Sequence, residues 1–228
     1  MRSRSGAGTG ARIRTWQSTI SRAGSKTTPT TAHSRKLVSD TGFSDVVDFW
    51  FGPPQARGLA RPEWFRKDVK FDAEIRRLFA ALHASAALGE REAWRAQPPS
   101  MLALVIVLDQ FSRNLYRGDA RAFAQDAHAL ACSREALARG DDAGLLPVER
   151  QFLYMPFEHS EDLADQDRAV ELMRSLDAFE PTRGLEEWAE RHRVVIRRFG
   201  RFPHRNAALG RASTPEEVEF LKEPGSVF

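Results

Sequence analysis

The sequence predicts an all-α protein in which antiparallel helix pairs stack around one core. Three observations predict it. Apolar residues recur at three- and four-residue spacing through most of the chain after residue 43. Runs of strictly alternating apolar and polar residues are lacking, as are Asn-Gly and Asp-Gly hairpin turns. Prolines and glycines fall between the periodic segments, where helices start and stop.

Each element follows from its own residues. Ser44 is the expected cap of a short helix carrying Val46, Val47, Phe49 and Trp50, and Gly52-Pro53-Pro54 stops it. After Trp64 and Phe65, the spacing of Ile75, Leu78, Phe79 and Leu82 predicts a helix ended by Gly89. Trp94 lies on a short piece before Pro98-Pro99. Ser100 is the expected cap of the next helix, whose first two turns, Met101 to Leu108, are apolar all round. A helix with no polar face is surrounded by others, so this one is expected at the centre, ending at Gly118. Asp119 opens a helix closed near Gly140, and Pro147 opens another that runs through Phe157. Helices are expected over roughly 163–178 and 183–199. Thr214-Pro215-Glu216-Glu217 combines a cap, a first-position proline and a third-position glutamate, and starts a last short helix.

Charge divides the chain in two. Residues 1–40 carry a net +7, while the remainder carries −4, although the whole chain sums to +3. A mildly acidic body excludes a general nucleic-acid surface, which would need to be basic. The tail, taken as residues 1–42, is rich in Ser, Thr, Gly and Arg and is expected to be disordered, with residues 43–228 forming a single domain. Its composition is that of a mitochondrial transit peptide, of a plain disordered tail, or of a gene start placed too far upstream. Without a targeting role the expected compartment is the cytoplasm. No apolar run approaches a membrane span of roughly 18 residues. The one cysteine, Cys132, excludes an internal disulfide framework and multi-cysteine zinc sites.

Three polar stretches interrupt the helical pattern. In the first, 108–118, Asp109 precedes Arg113 by four residues, the favourable order for an ion pair, and Gln110 and Asn114 are paired one position on. This reads either as a helix end with an internal salt bridge or as polar groups delivered into a pocket by a helix buried in its first half. In the second, residues 151–167 hold five acids and no Lys or Arg, with His159 between Glu158 and Glu161. Carboxylates four apart repel. Arginines, solvent or a metal must compensate, but the spacing matches no metal-binding motif, so no metal or cofactor is expected. In the third, 191–211, seven arginines and two histidines occur without an acid, and His192 lies on the apolar stripe of its helix, the usual place of a satisfied core histidine. The acid-only and base-only stretches are expected to face each other across one cleft.

A resemblance rests on five motifs: Val46 to Gly52, Trp64-Phe65, Leu108 to Gly118, Pro156 to Glu161 and Arg198 to Asn206. Together they resemble the bacterial domain-of-unknown-function family numbered 924 over about residues 43–222. Ser112 stands where proline is common in that family. The resemblance implies a tetratricopeptide-like, right-handed superhelix and supplies no reaction.

Two functional expectations follow. In the first, the cleft binds an anionic small molecule or peptide, with Arg113, Arg198, Arg201 and Arg205 as the clamp. Asn114 and Asn206 orient the ligand, and Asp109, Gln110, His192 and His204 line the cleft. In the alternative, the protein is an enzyme, in one variant a metal-assisted hydrolase, using Glu158 or Glu161 with His159 or His204 for proton transfer. Neither expectation includes a nucleic-acid or membrane partner.

Overall fold

The computed structural model describes residues 41–226, and the basic segment 1–40, with its expected disorder and targeting role, lies outside the described residues. Among the described residues the protein is all-helical, and no strand occurs. It consists of α1 (Phe43–Phe51), α2 (Val69–Ala87), α3 (Pro98–Ile106), a π turn (Val107–Phe111), α4 (Ser112–Leu115), α5 (Asp126–Arg139), α6 (Pro147–Glu158), α7 (Leu163–Arg174), α8 (Leu185–Phe199) and α9 (Pro215–Phe220). Short 3-10 turns join several of them. Among the described residues, no helix is long and apolar enough to cross a membrane.

The apolar run sits at the centre as expected. Every side chain from Met101 to Leu108 is fully or almost fully buried. α1, α5 and α6 pack on α3, and α2 packs on the π turn and α4. Aromatic rings fill the space between α1 and its neighbours: Trp50 meets Phe111 at 5.7 Å and Phe152 at 5.3 Å edge-on, and stacks on Trp64. The carbonyls left open at the end of α1 are closed by side chains, since Arg61 donates to Phe49 and Trp50 and the Trp64 indole donates to Trp50.

Several boundaries differ from the sequence reading. Gly42, not Ser44, precedes α1, and its N–H is held by Asp45 at 2.8 Å. Gln97, not Ser100, precedes α3. Pro98, whose fixed φ suits the first helical position, starts the helix, and the Ser100 hydroxyl donates back to Trp94 and Gln97. Asp119 caps only a 3-10 turn, and α5 starts seven residues later at Asp126. The central helix ends at Leu115 rather than Gly118, and α7 ends at Arg174.

The last helix forms at its capping box. Thr214 Oγ1 accepts the Glu217 N–H at 3.2 Å, and Glu217 Oε2 accepts the Thr214 N–H at 2.7 Å. Thr214→Ala removes half of the box and is expected to cost about 1 kcal/mol. A thermal melt measures this, and an unchanged midpoint would show that the box adds nothing.

The π turn is the departure from regular helix that matters for function. A π turn carries one residue more than an α turn and leaves backbone carbonyls without their usual partners. Here two are satisfied by side chains one turn on. The Ser112 hydroxyl donates to the Leu108 carbonyl at 2.5 Å, and Arg113 Nη1 donates to the Asp109 carbonyl at 2.9 Å. The extra residue lets Asp109, Gln110 and Phe111 all point inward, each buried.

Candidate functional site

Asp109 is completely buried, so its charge must be met by protein groups. One oxygen takes the Nδ1 of His159 at 2.7 Å and Nη1 of Arg113 at 3.1 Å. The other takes the amide of Gln110 at 2.6 Å, which also lies 3.0 Å from the Met155 sulfur. Burial alone would raise the Asp109 carboxyl, but Arg113 and then His159 override it and hold the group below its ordinary value. An ionised carboxylate only accepts hydrogen bonds, so Nδ1 of His159 carries the proton and Nε2 carries the lone pair. Burial, and then Arg113, push the His159 ring toward its neutral form.

Glu158 is the last residue of α6, immediately before His159. It is 5% exposed. Its backbone carbonyl accepts from Gln166, but its carboxyl forms no hydrogen bond with any described residue. Burial, and then the Asp109 charge, push this carboxyl up to about 8.

On the other side of Arg113 a second carboxylate appears. Asp126, at the start of α5, accepts both Nη atoms of Arg113, at 3.0 and 3.2 Å, and Nη1 of Arg205 at 3.1 Å. Both guanidiniums approach the Phe123 ring, and Arg205 also covers Phe202 at 4.4 Å. Burial, and then Arg113, lower Arg205 to about 10, still charged at neutral pH. The cluster is therefore balanced: Asp109 and Asp126 against Arg113 and Arg205, with Glu158 and the histidines neutral.

His192 and His204 border this cluster. The His192 ring is 6.4 Å from that of His159, and its Nδ1 is 2.9 Å from the Trp188 carbonyl. Burial lowers it to about 3, against the opposing effect of the Trp188 bond. His204 lies 5.6 Å from the Phe202 ring, and burial, with Arg205 and Arg113, also lowers it to about 3.

The acidic and basic stretches do meet. Arg211 forks onto Glu161 at 2.7 and 3.0 Å, the Phe202 N–H donates to Glu161 at 2.8 Å, and Arg193 and Arg197 reach Asp167. Glu161 is thus a clasp: burial would raise its carboxyl, but Arg211 and the Phe202 N–H hold it low. Asn206 belongs to the same clasp, accepting from Arg211 and donating to Glu217. Other predicted residues lie elsewhere. Asn114 donates to Asp72 on α2 at 2.7 Å. Arg198 pairs with Glu216 beside Phe199 and Phe220, and Arg201 forks onto Glu217. The four-arginine clamp therefore separates into Arg113 and Arg205 at the cluster and Arg198 and Arg201 on the carboxylates of α9.

Asp126 and Gln166 were not singled out from the sequence, and Arg211 entered only as one of the seven arginines of 191–211. Gln166 donates to the carbonyls of Glu158 and Ser160, both at 2.7 Å, and so fixes the turn that presents His159. No spacing rule connects these residues to their partners, which lie up to 79 positions away.

The profile of a family described as bacterial protein of unknown function (DUF924) matches residues 46–225. A solved structure of a protein of unknown function from Agrobacterium tumefaciens is similar, with 40% identity and a TM-score of 0.70. The match covers 79% of this chain and 96% of that one. No curated protein matches the chain.

Proposed function

The chain belongs to the bacterial DUF924 family, and from that premise we propose that its polar cluster is an acid–base site acting on a small molecule. The observation that carries this reading is that one turn holds His159, bonded through Nδ1 to Asp109, next to a buried Glu158 whose carboxyl has no hydrogen-bond partner among the described residues. His159 is oriented by Asp109 with a free lone pair on Nε2, while the neighbouring Glu158 holds a proton near neutral pH. Such a pair suits a reaction in which His159 takes a proton from the substrate and Glu158 gives one to the oxygen or carbon that becomes electron-rich. The proton count of the protein is unchanged over the two transfers. Arg113 adds a fixed positive charge beside His159.

The charge balance favours this reading over simple anion capture. Two guanidiniums already facing two carboxylates leave no net field to attract an anion. An anionic ligand would have to exchange with a protein carboxylate.

We also read residues 43–228 as one domain and its helices as a tetratricopeptide-like stack. The packing of α6 on α7 and of α7 on α8 supports this.

The test is a turnover screen over small carbonyl compounds, esters and hydroxy acids. An activity lost by at least about 100-fold in both Glu158→Gln and His159→Gln, with both variants still folded, is the expected result. An activity that survives both substitutions would end the acid–base reading.

A further inference from the structure

We propose that Asp126 is an internal stand-in for a substrate carboxylate, and that Arg113 and Arg205 form the subsite that a carboxylate-bearing small molecule occupies. The inference rests on the acid–base reading for its place in a reaction, and names the substrate class of that same site.

Four observations support it. First, the carboxylate of Asp126 is committed to the two guanidiniums. Among the described residues its hydrogen bonds all go to Arg113 and Arg205, and it caps neither α5 nor the turn before it. Second, burial is asymmetric. The Arg205 side chain is 7% exposed, whereas those of Asp126 and Arg113 are 17% and 19% exposed, so the carboxylate and one guanidinium face solvent above a buried Arg205. Third, Arg205 has a donor with no hydrogen-bond partner among the described residues: its Nε is buried, and a ligand oxygen could satisfy it. Fourth, the two guanidiniums share one aromatic neighbour besides Asp126: the Phe123 ring lies 5.8 Å from Arg113 and 4.8 Å from Arg205.

The placement gives the subsite its chemical meaning. Arg113 Nη1 touches Asp109 as well as Asp126. A carboxylate in place of Asp126 is therefore one guanidinium away from the carboxylate that orients His159. The substrate would be anchored by its acid group while an adjacent part of the same molecule reaches Nε2 of His159. The planar fork of Arg113 matches a carboxylate better than a tetrahedral anion.

The experiment is a titration of the full chain with malonate, read by thermal midpoint and by NMR of the arginine side chains, against sodium chloride of equal ionic strength. In the wild type, malonate should raise the midpoint and shift the Arg113 and Arg205 signals. In Asp126→Asn it should do so at roughly tenfold lower concentration, because no internal carboxylate competes. In Arg205→Gln the response should vanish. A wild type indifferent to malonate would overturn the proposal, even if Asp126→Asn binds it, since refilling a vacated position needs no subsite. Inorganic phosphate binding more tightly than malonate would overturn the carboxylate assignment. If Asp126→Asn does not fold, the wild type and Arg205→Gln decide alone. The titration of Glu158 followed in the same samples keeps the two readings apart. A normal Glu158 with a malonate response removes the acid–base site and leaves the subsite, and the converse result removes only the subsite.

Discussion

Replacing Asp109 with alanine is expected to remove about 3–5 kcal/mol of stability, the cost of taking one partner out of a buried charged network. The substitution leaves the His159 N–H facing a void. It also deprives Arg113 of one of its two carboxylates, and Gln110 keeps only the Met155 sulfur. Asp109→Asn keeps the volume and removes the charge, so it should retain most of the loss if electrostatics rather than packing dominates. Urea unfolding at neutral pH measures both variants. A loss below about 1 kcal/mol in each would mean that the network contributes no more than an ordinary surface pair. The pH dependence of this term follows from the low folded value of Asp109. The stability it adds is present above the ordinary range near 3.8 and is lost as pH falls toward the folded value.

Glu158→Gln should do the reverse and stabilise the protein in alkali. The carboxyl of Glu158 titrates near 4.5 in the unfolded chain and is pushed up to about 8 by burial and by Asp109 in the folded one. Between those values the folded state holds a proton that the unfolded state has released. Stability therefore falls as pH rises through this window and levels off above it. At 1.36 kcal/mol per pH unit the full difference is of order 5 kcal/mol. The wild type and Glu158→Gln should be almost equally stable near the lower end of the window, and the variant should lead increasingly toward the upper end. Denaturant midpoints across the range measure the divergence, and parallel profiles would contradict it. A gain in stability coupled to a loss of activity is the expected mark of a residue kept for function at the expense of the fold.

The helical architecture was legible because it depends on local pattern. The apolar run Met101 to Leu108 announced the central helix, and Thr214-Pro215-Glu216-Glu217 announced α9 with its box. Cap positions were less legible where two signals competed. At α3 the proline decided the start and Ser100 turned to other carbonyls. The π turn left no local mark, because its extra residue is stabilised by Ser112 and Arg113, both of which read equally well as ordinary helix.

The candidate site was half legible. Asp109, Arg113 and His159 stood out by residue type, and the meeting of the acidic and basic stretches followed from their complementary charge. The role of each arginine did not follow. Which carboxylate a guanidinium meets is set by packing between distant elements, and only coordinates separate Arg205 on Asp126 from Arg201 on Glu217. The distinction between Glu158 and Glu161 was hidden for the same reason. Three residues apart in one motif, the first is buried without a hydrogen-bond partner for its carboxyl, and the second is held by an arginine fork.

The proposed chemistry depends most directly on the protonation of Glu158 in the folded chain. Carboxyl carbon NMR of the labelled wild type, with Glu158→Gln to assign the signal, follows that proton alone. A midpoint close to 8 is expected, displaced downward when Asp109 is replaced by asparagine. A midpoint in the ordinary glutamate range near 4.5 would leave two carboxylates side by side with no acid between them, and the proposed chemistry would have no proton donor.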